Sequence, residues 1–249
     1  MSEPKSKQHG MLFSAPMVLA LINTKIGEST PIDPSKPFKT QTRRVMKPQP
    51  SEAWARPPIE IINGKYCSAG CVSDFKCPHP VGTEIYCKET FYDSSMDDKR
   101  HPWTYRAGIS VDEDLSRDFA WRPSIFMPKE AARVWHTVVK VRCERVQDIT
   151  QEDAVKEGLI PYEDHANMWH PTEQYQCLWN SINLAPSPVF QKVDGKKRIV
   201  AYESYPWSME DFAARYPIGT GDSGFYFKGK PLHVYPNPYV WVYDFLRTK

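Results

Sequence analysis

Tyr239-Val240-Trp241-Val242-Tyr243-Asp244-Phe245 is a run of β-branched and aromatic side chains with one charge, apolar on both of its faces. A strand with one wet face alternates apolar and polar residues. This one does not, so it is expected to be a central strand covered on both sides. Working backward, Thr137 to Val146 does alternate, with Val139, Val141 and Cys143 facing one way and Lys140, Arg142 and Glu144 the other. That is the pattern of a half-buried strand. Thr83 to Phe91 reads as a further strand after a turn at Gly82, and it places Glu89 on the same face as Ile85 and Cys87.

Short helices flank these strands. Ser14 can cap a helix with Pro16 in its first turn and Val18, Leu21 and Ile22 at helical spacing, ending near Lys25. Thr150-Gln151-Glu152-Asp153 resembles a capping box and opens a short helix that Gly158 should close. Glu157 then sits in the last turn, where a carboxylate opposes the helix dipole at a cost of about 0.3–1 kcal/mol unless a cation compensates. A further helix is expected around Tyr175 to Trp179. With 23 prolines among 249 residues, loops and short strands are favoured over long helices. The fold class is therefore α+β. A chain of this mass can bury about 30,000 Å² relative to an extended reference, enough for its own core.

The first ten residues read as a flexible tail, and Met11 to Ile22 is too short and too interrupted for a signal peptide or a membrane span. Six cysteines without a secretion signal read as reduced thiols, so a cytoplasmic protein that does not engage membranes is expected. The composition gives no indication of oligomeric state.

Chemistry concentrates in Lys39-Thr40-Gln41-Thr42-Arg43-Arg44, which follows the loop Gly27 to Phe38. Between Lys36 and Lys47 there are five basic residues and no acid, although the whole chain carries a formal charge of only +2. A concentrated field of this kind suits an anionic or strongly polar partner such as a nucleotide.

Several stretches, taken in order, resemble the ASCH-domain proteins of phages and prophages. They are Leu12 to Met17, Lys39 to Val45, Trp121-Arg122-Pro123-Ser124-Ile125-Phe126-Met127-Pro128, Ile149 to Ala154 and Asn237 to Val242. The resemblance implies a PUA-like fold, a mixed β-barrel with short flanking helices, running over residues 11–249 as one domain. The segment 187–235 has no counterpart in that family and is read as an insertion. The superfamily often binds RNA or modified bases. Its members that act as N(4)-acetylcytidine amidohydrolases use a lysine and a threonine from a Lys-x-x-Thr-x-Arg stretch and a glutamate from a short helix. Lys39, Thr42, Arg44 and Glu157 fall at those places here.

The implied chemistry is amide hydrolysis of an N(4)-acylated cytidine. Thr42 is the nucleophile, Lys39 the base that activates it, and Glu157 the acid that protonates the departing amine. Lys39 can serve as a base only if burial or the neighbouring Arg43 and Arg44 depress its pKa. Arg43, Arg44, Glu89 and Trp121 are the expected substrate contacts, with Arg44 on the oxyanion or a nucleoside oxygen. The alternative from spacing alone is that Lys39 and Arg44 are solvated loop charges and Glu157 merely pairs with one of them. A noncatalytic reader of RNA or modified bases would use the same loop, with Trp103, Tyr105 and Trp121 as stacking platforms or as ordinary core aromatics. A phage assembly-associated role is a third class, though nothing in the chain resembles a coat or coiled-coil element.

No cofactor is expected. Cys67, Cys71, Cys77, His79 and Cys87 invite a zinc reading, but the spacing C-x3-C-x5-C-x-H lacks paired C-x2-C knuckles. The seven histidines form no metal or hydrolase signature, and Gly219 to Gly224 lacks the lysine of a phosphate loop, so it reads as a flexible turn.

Overall fold

The structure, a computed structural model, describes residues 8–50, 59–62, 65–68, 71–93, 102–109, 120–160, 170–216 and 224–249, with backbone alone between 59 and 76. In chain order the first elements are β1 (Gln8–Leu12), α1 (Ala15–Ile22), β2 (Gln41–Val45), β3 (Ile59–Ile62), β4 (Lys65–Ser68) and β5 (Cys71–Lys76). Next come β6 (Glu84–Lys88), β7 (Phe91–Asp93), β8 (Trp103–Tyr105), β9 (Trp135–Arg145), α2 (Gln151–Lys156) and α3 (Pro171–Asn183). The last are β10 (Ser187–Val193), β11 (Lys196–Ser204), α4 (Met209–Arg215), β12 (Phe225–Phe227), β13 (Lys230–Val234) and β14 (Tyr239–Arg247). The architecture is α+β, with several sheets and few helices. Among the described residues no helix is long and apolar enough to cross a membrane.

The main sheet has five strands in the order β1-β6-β9-β14-β2, with β1 parallel to β6 and the other pairs antiparallel. As the sequence requires, β14 is interior and buried on both faces. Tyr239, Trp241, Tyr243 and Phe245 pack into one core with Phe13, Val18 and Leu21. Val240 and Val242 pack on the other side with Ala154, Tyr175 and Trp179.

The expected closed barrel is corrected to an open sheet whose edges are β1 and β2. The reason is local. At the start of β2 the main chain is taken by the end of α2, where Thr40 N–H donates to Lys156 O at 2.9 Å. Farther along, the Arg44 guanidinium reaches across and donates to Leu12 O of β1 at 2.8 Å, so a side chain spans the seam that backbone pairing would close.

Two boundaries also move. β1 starts at Gln8, paired with Glu84, so residues 8–10 belong to the sheet and not to a tail. On β9, Asp244 faces Lys140 while Phe245 faces Val138, a bulge that leaves Val139 extra. The inward face therefore changes phase. His136, Val138 and Cys143 are buried, and Val139, expected inside, is 44% exposed.

Residues 187–235, read as an insertion, build a second sheet in the order β10-β11-β13-β12, with α4 packed on it through Phe212, Tyr202 and Leu232. Trp179 Nε1–H donates to Tyr205 O at 2.8 Å and ties this unit to α3. Of the turn at Gly219 to Gly224, residues 219–223 lie outside the described residues. The remaining pairs are β3-β4-β5 and β7-β8.

Candidate functional site

Three local devices deliver Lys39. α1 ends at Ile22, and the side chain of the next residue, Asn23, organises the loop that follows. Its amide donates to the carbonyls of Asp33, Lys36 and Pro37 at 2.9–3.1 Å and folds the loop back on itself. Lys39 N–H then donates to Ala20 O at 3.1 Å, and the Thr24 hydroxyl lies 3.1 Å from Lys39 O. Finally, Lys39 and Glu157 face each other in an isolated antiparallel bridge, an arrangement that puts opposing side chains on the same side.

Glu157 is placed from the other direction. The Thr150 hydroxyl accepts from Asp153 N–H, capping α2 as the sequence predicts, and Glu157 is the residue that ends the helix. Gly158 follows with φ +96, a left-handed conformation that favours glycine. A Cβ there would stand 3.1 Å from the Ala20 side chain and 3.5 Å from Lys39 Cβ. Glycine thus permits both the turn and the close approach of α2 to α1.

The result is a buried contact between Lys39 and Glu157. Lys39 Nζ donates to Glu157 Oε2 at 2.6 Å and to Glu157 O at 2.7 Å. Lys39 is 2% exposed and Glu157 3%, which excludes the solvated-loop alternative while keeping its suggestion that the two residues pair. The cation also answers the unfavourable position of a carboxylate at a helix end. Burial lowers the Lys39 pKa; Glu157 partly offsets this, and Arg44 and Arg43 lower it further. The condition set for a lysine base is met in direction.

Arg43 lies on the α2–α3 face of the sheet, with a fully buried side chain. Its guanidinium donates to Glu157 Oε1 at 3.3 Å, Glu144 Oε2 at 3.1 Å and Asp153 Oδ2 at 2.8 Å. Burial opposes its charge, but these carboxylates and Tyr175 outweigh it and raise its pKa. Arg142 joins the lattice through Asp153, Asp244 and Glu144. Arg44 points to the opposite face, with its guanidinium carbon 5.1 Å from the Phe13 ring centroid.

This network corrects one inference from the sequence. The basic cluster is not a free positive field, because each cation already has a partner. Lys36 pairs with Asp33, Lys39 with Glu157, Arg43 with three carboxylates and Lys47 with Glu203, while Arg44 donates to Leu12 O. With Lys39 and Arg43 neutralised by acids and only Arg44 left without one, the cleft carries far less positive field than the sequence suggests.

The seam between β1 and β2 opens as a cleft of about 500 Å³ lined by Lys39, Thr42, Arg43, Arg44 and Glu157. That volume lies in the usual range for a small-molecule site. Thr42 stands on β2 opposite Tyr243 and is part of the wall. Apolar walls come from Phe13 and Met17 on one side and from Tyr175, Leu178, Trp179 and Ile182 of α3 on the other. The aromatic members of this wall were missed in the sequence. Their signal is the spacing 175, 178, 179, 182, which lies on one face of a helix.

Glu89 and Trp121 are not among the lining residues. The Glu89 carboxylate is 1% exposed and held by Arg133 through two hydrogen bonds of 2.9 Å, so it is committed to a structural ion pair. The neighbouring Thr90 reaches the cleft instead, as does Ser124 of the stretch that begins at Trp121. Trp103 and Tyr105 pack in a separate core around Phe91 and Met127. Cys67 and Cys71 have no described side chains, and among the described residues no group of histidine, cysteine and acidic side chains could hold a metal ion. Cys77 and Cys87 are buried free thiols, and burial pushes both up in pKa.

No family model, no curated protein and no solved structure matches this chain.

Proposed function

We propose that this chain is an ASCH-type protein with a PUA-like sheet, whose cleft accepts a nucleobase or nucleoside and hydrolyses an amide on it, as in N(4)-acylated cytidine. One observation carries the reading: a desolvated lysine in direct contact with a carboxylate, at the wall of a cleft that Thr42 also lines. A neutral internal lattice and apolar walls suit an uncharged aromatic base.

In this mechanism the Lys39 proton passes to Glu157 across the 2.6 Å contact, leaving an amine beside a carboxylic acid. The amine takes the Thr42 hydroxyl proton as Oγ1 attacks the acyl carbon, and Arg44 faces the oxyanion. Collapse breaks the C–N bond, and Glu157 protonates the departing nitrogen. The pair is now ammonium and carboxylate again. From this state the path runs in reverse: Glu157 takes a proton from water as its oxygen attacks the acyl carbon, Lys39 returns a proton to Thr42 Oγ1 as the ester C–O bond breaks, and a final transfer from Glu157 to Lys39 restores the resting pair.

Incubation with N(4)-acetylcytidine should release acetate and cytidine. A second reading, a noncatalytic reader of modified bases or RNA, is favoured by the double engagement of Lys39 Nζ, which donates to two acceptors of Glu157. Saturable nucleoside binding that Lys39→Ala weakens, with no turnover by the wild type, would decide for the reader. Absence of both binding and turnover would remove both readings.

A further inference from the structure

Lys39 and Arg43 of the cleft pair with acids and Arg44 alone does not, so the stronger field for phosphates lies on a different surface. The β10–β11 hairpin supplies one. Between Gln191 and Arg198 every residue is exposed, and the stretch holds Lys192, Lys196, Lys197 and Arg198 against one acid, Asp194. Among the described residues none of these four cations has an ion-pair partner.

We propose that this hairpin is an arm that grips the phosphate backbone of a single-stranded nucleic acid, so that the base entering the cleft arrives within a polynucleotide. The arm itself stands independently, while the second clause rests on the nucleoside reading of the cleft.

The geometry is that of a stiff, extended ribbon. Asp194 and Gly195 have φ 50 and 74, the paired positive values of a two-residue turn that matches strand twist. Lys192 is directly opposite Lys197. Two ammonium groups at facing positions repel, and an external anion relieves that repulsion. Phe190 faces Ile199, two steps along the same face, and Lys197 Nζ lies 4.4 Å from the Phe190 ring centroid. Lys196 and Arg198 project from the opposite face, so the charge wraps around the ribbon.

The neighbouring hairpin reinforces this end. β11 runs parallel to β13 with Tyr202 level with Leu232, which brings the turn at Lys228-Gly229 alongside the base of the arm. That turn adds Lys228 and Lys230, and the exposed Tyr226 adds a second ring. Cations interleaved with exposed aromatics are what a strand with unpaired bases needs, since phosphates pair and bases stack. A membrane surface fits less well. A flat bilayer meets only one face of a ribbon, and the tip of this one is Asp-Gly, with nothing to insert.

Cleft and arm are connected by the chain itself. Ile182 and Asn183 line the cleft, and β10 starts at Ser187. Lys192 lies roughly 17 Å farther along the strand. A single nucleoside in the cleft cannot touch the arm, whereas a strand of several nucleotides can.

The test is anisotropy of labelled single-stranded ribo- and deoxyribo-oligonucleotides with the full chain across a salt series. The variant carries Lys192→Gln, Lys196→Gln, Lys197→Gln and Arg198→Gln. It should bind about tenfold more weakly or worse, with the slope of log affinity against log salt reduced by up to about 3, and with cleft binding of cytidine derivatives unchanged. Asp194→Asn, which tolerates the positive φ and removes the lone acid, should tighten binding, a gain that misfolding cannot mimic. The sugar preferred by the wild type identifies whether RNA or DNA is the source of the phosphates. Unchanged affinity and salt slope in the fourfold variant would overturn the arm. Arm-dependent binding to anionic vesicles without oligonucleotide binding would overturn it as well. Arm-dependent oligonucleotide binding in a protein whose cleft takes no nucleoside would uphold the arm and remove only the cleft reading.

Discussion

Lys39 Nζ and Glu157 Oε2 lie 2.6 Å apart although 118 positions separate the two residues in sequence, and neither side chain reaches bulk water. The two backbones are paired at the same point, so the ion contact is built into the fold and is not a chance meeting of long side chains. Breaking a buried pair by removing one partner is costly, because the other charge stays behind. Lys39→Ala should lower stability by about 3–5 kcal/mol in denaturant unfolding. Glu157→Gln, which keeps a hydrogen-bonding group of the same size, should cost less while slowing acetate release by about 10²–10⁴-fold.

Thr42→Val preserves shape and removes the hydroxyl. If Thr42 is the nucleophile, this variant should show no acetate release and no acyl adduct by mass spectrometry, yet bind nucleoside within a few-fold of wild type. Thr42→Ser should retain turnover. Full activity in Thr42→Val would exclude the covalent route.

Arg43 holds three carboxylates together from a side chain with no exposed surface. Arg43→Leu leaves those acids facing one another and should destabilise by about 3–5 kcal/mol. Arg43→Lys should restore little of this, since a single ammonium cannot reproduce the planar fork that meets separate acceptors. Thermal melts of the two variants side by side would show it.

Arg133→Ala separates the structural acid from the functional one. It strands the buried Glu89 carboxylate, so the melting temperature should fall, while nucleoside affinity in the cleft should hold because Glu89 does not line it. Loss of cleft binding in folded Arg133→Ala protein would return Glu89 to the site.

Two histidines contribute to the acid limb of stability. Burial, with His9 and Arg44 nearby, pushes His79 down to about 4, and burial, with Arg247 and Lys39, pushes His136 down to about 3. In the unfolded chain both take up a proton near 6.5, so between those limits the unfolded state binds more protons. Stability should therefore fall as the pH drops from about 6.5, by up to about 1.4 kcal/mol per pH unit for the buried His136 once the drop is under way and by less for the half-buried His79, whose charge solvent screens. His79→Gln should flatten this slope, by less than the full slope of one proton, in melts taken between pH 6.5 and 4.

Much of the local structure was legible in the sequence. The apolar run at 239–245 is the doubly covered interior strand, Thr150 caps α2 and Gly158 follows its end, and Glu89 shares the buried face of Ile85 and Cys87. Each of these follows from side-chain shape, a cap or a left-handed residue acting over a few positions. The phase of β9 was not legible, because the bulge at Val139 arises from its register against β14. The aromatic wall from α3 was hidden for a related reason: Tyr175 and Trp179 announce a buried face but not which cavity that face closes.

By itself the sequence determined the α+β class, the covered strand and the presence of an amine, a hydroxyl and guanidiniums in one short stretch. Only the tertiary structure decided that Lys39 and Arg43 of this stretch are satisfied by acids from α2 and β9, and that the β10–β11 hairpin carries four cations with no ion-pair partner among the described residues. The physical reason is range. Propensity and capping act between neighbours along the chain, whereas the charge a residue feels depends on which distant elements pack against it and on how much water they exclude.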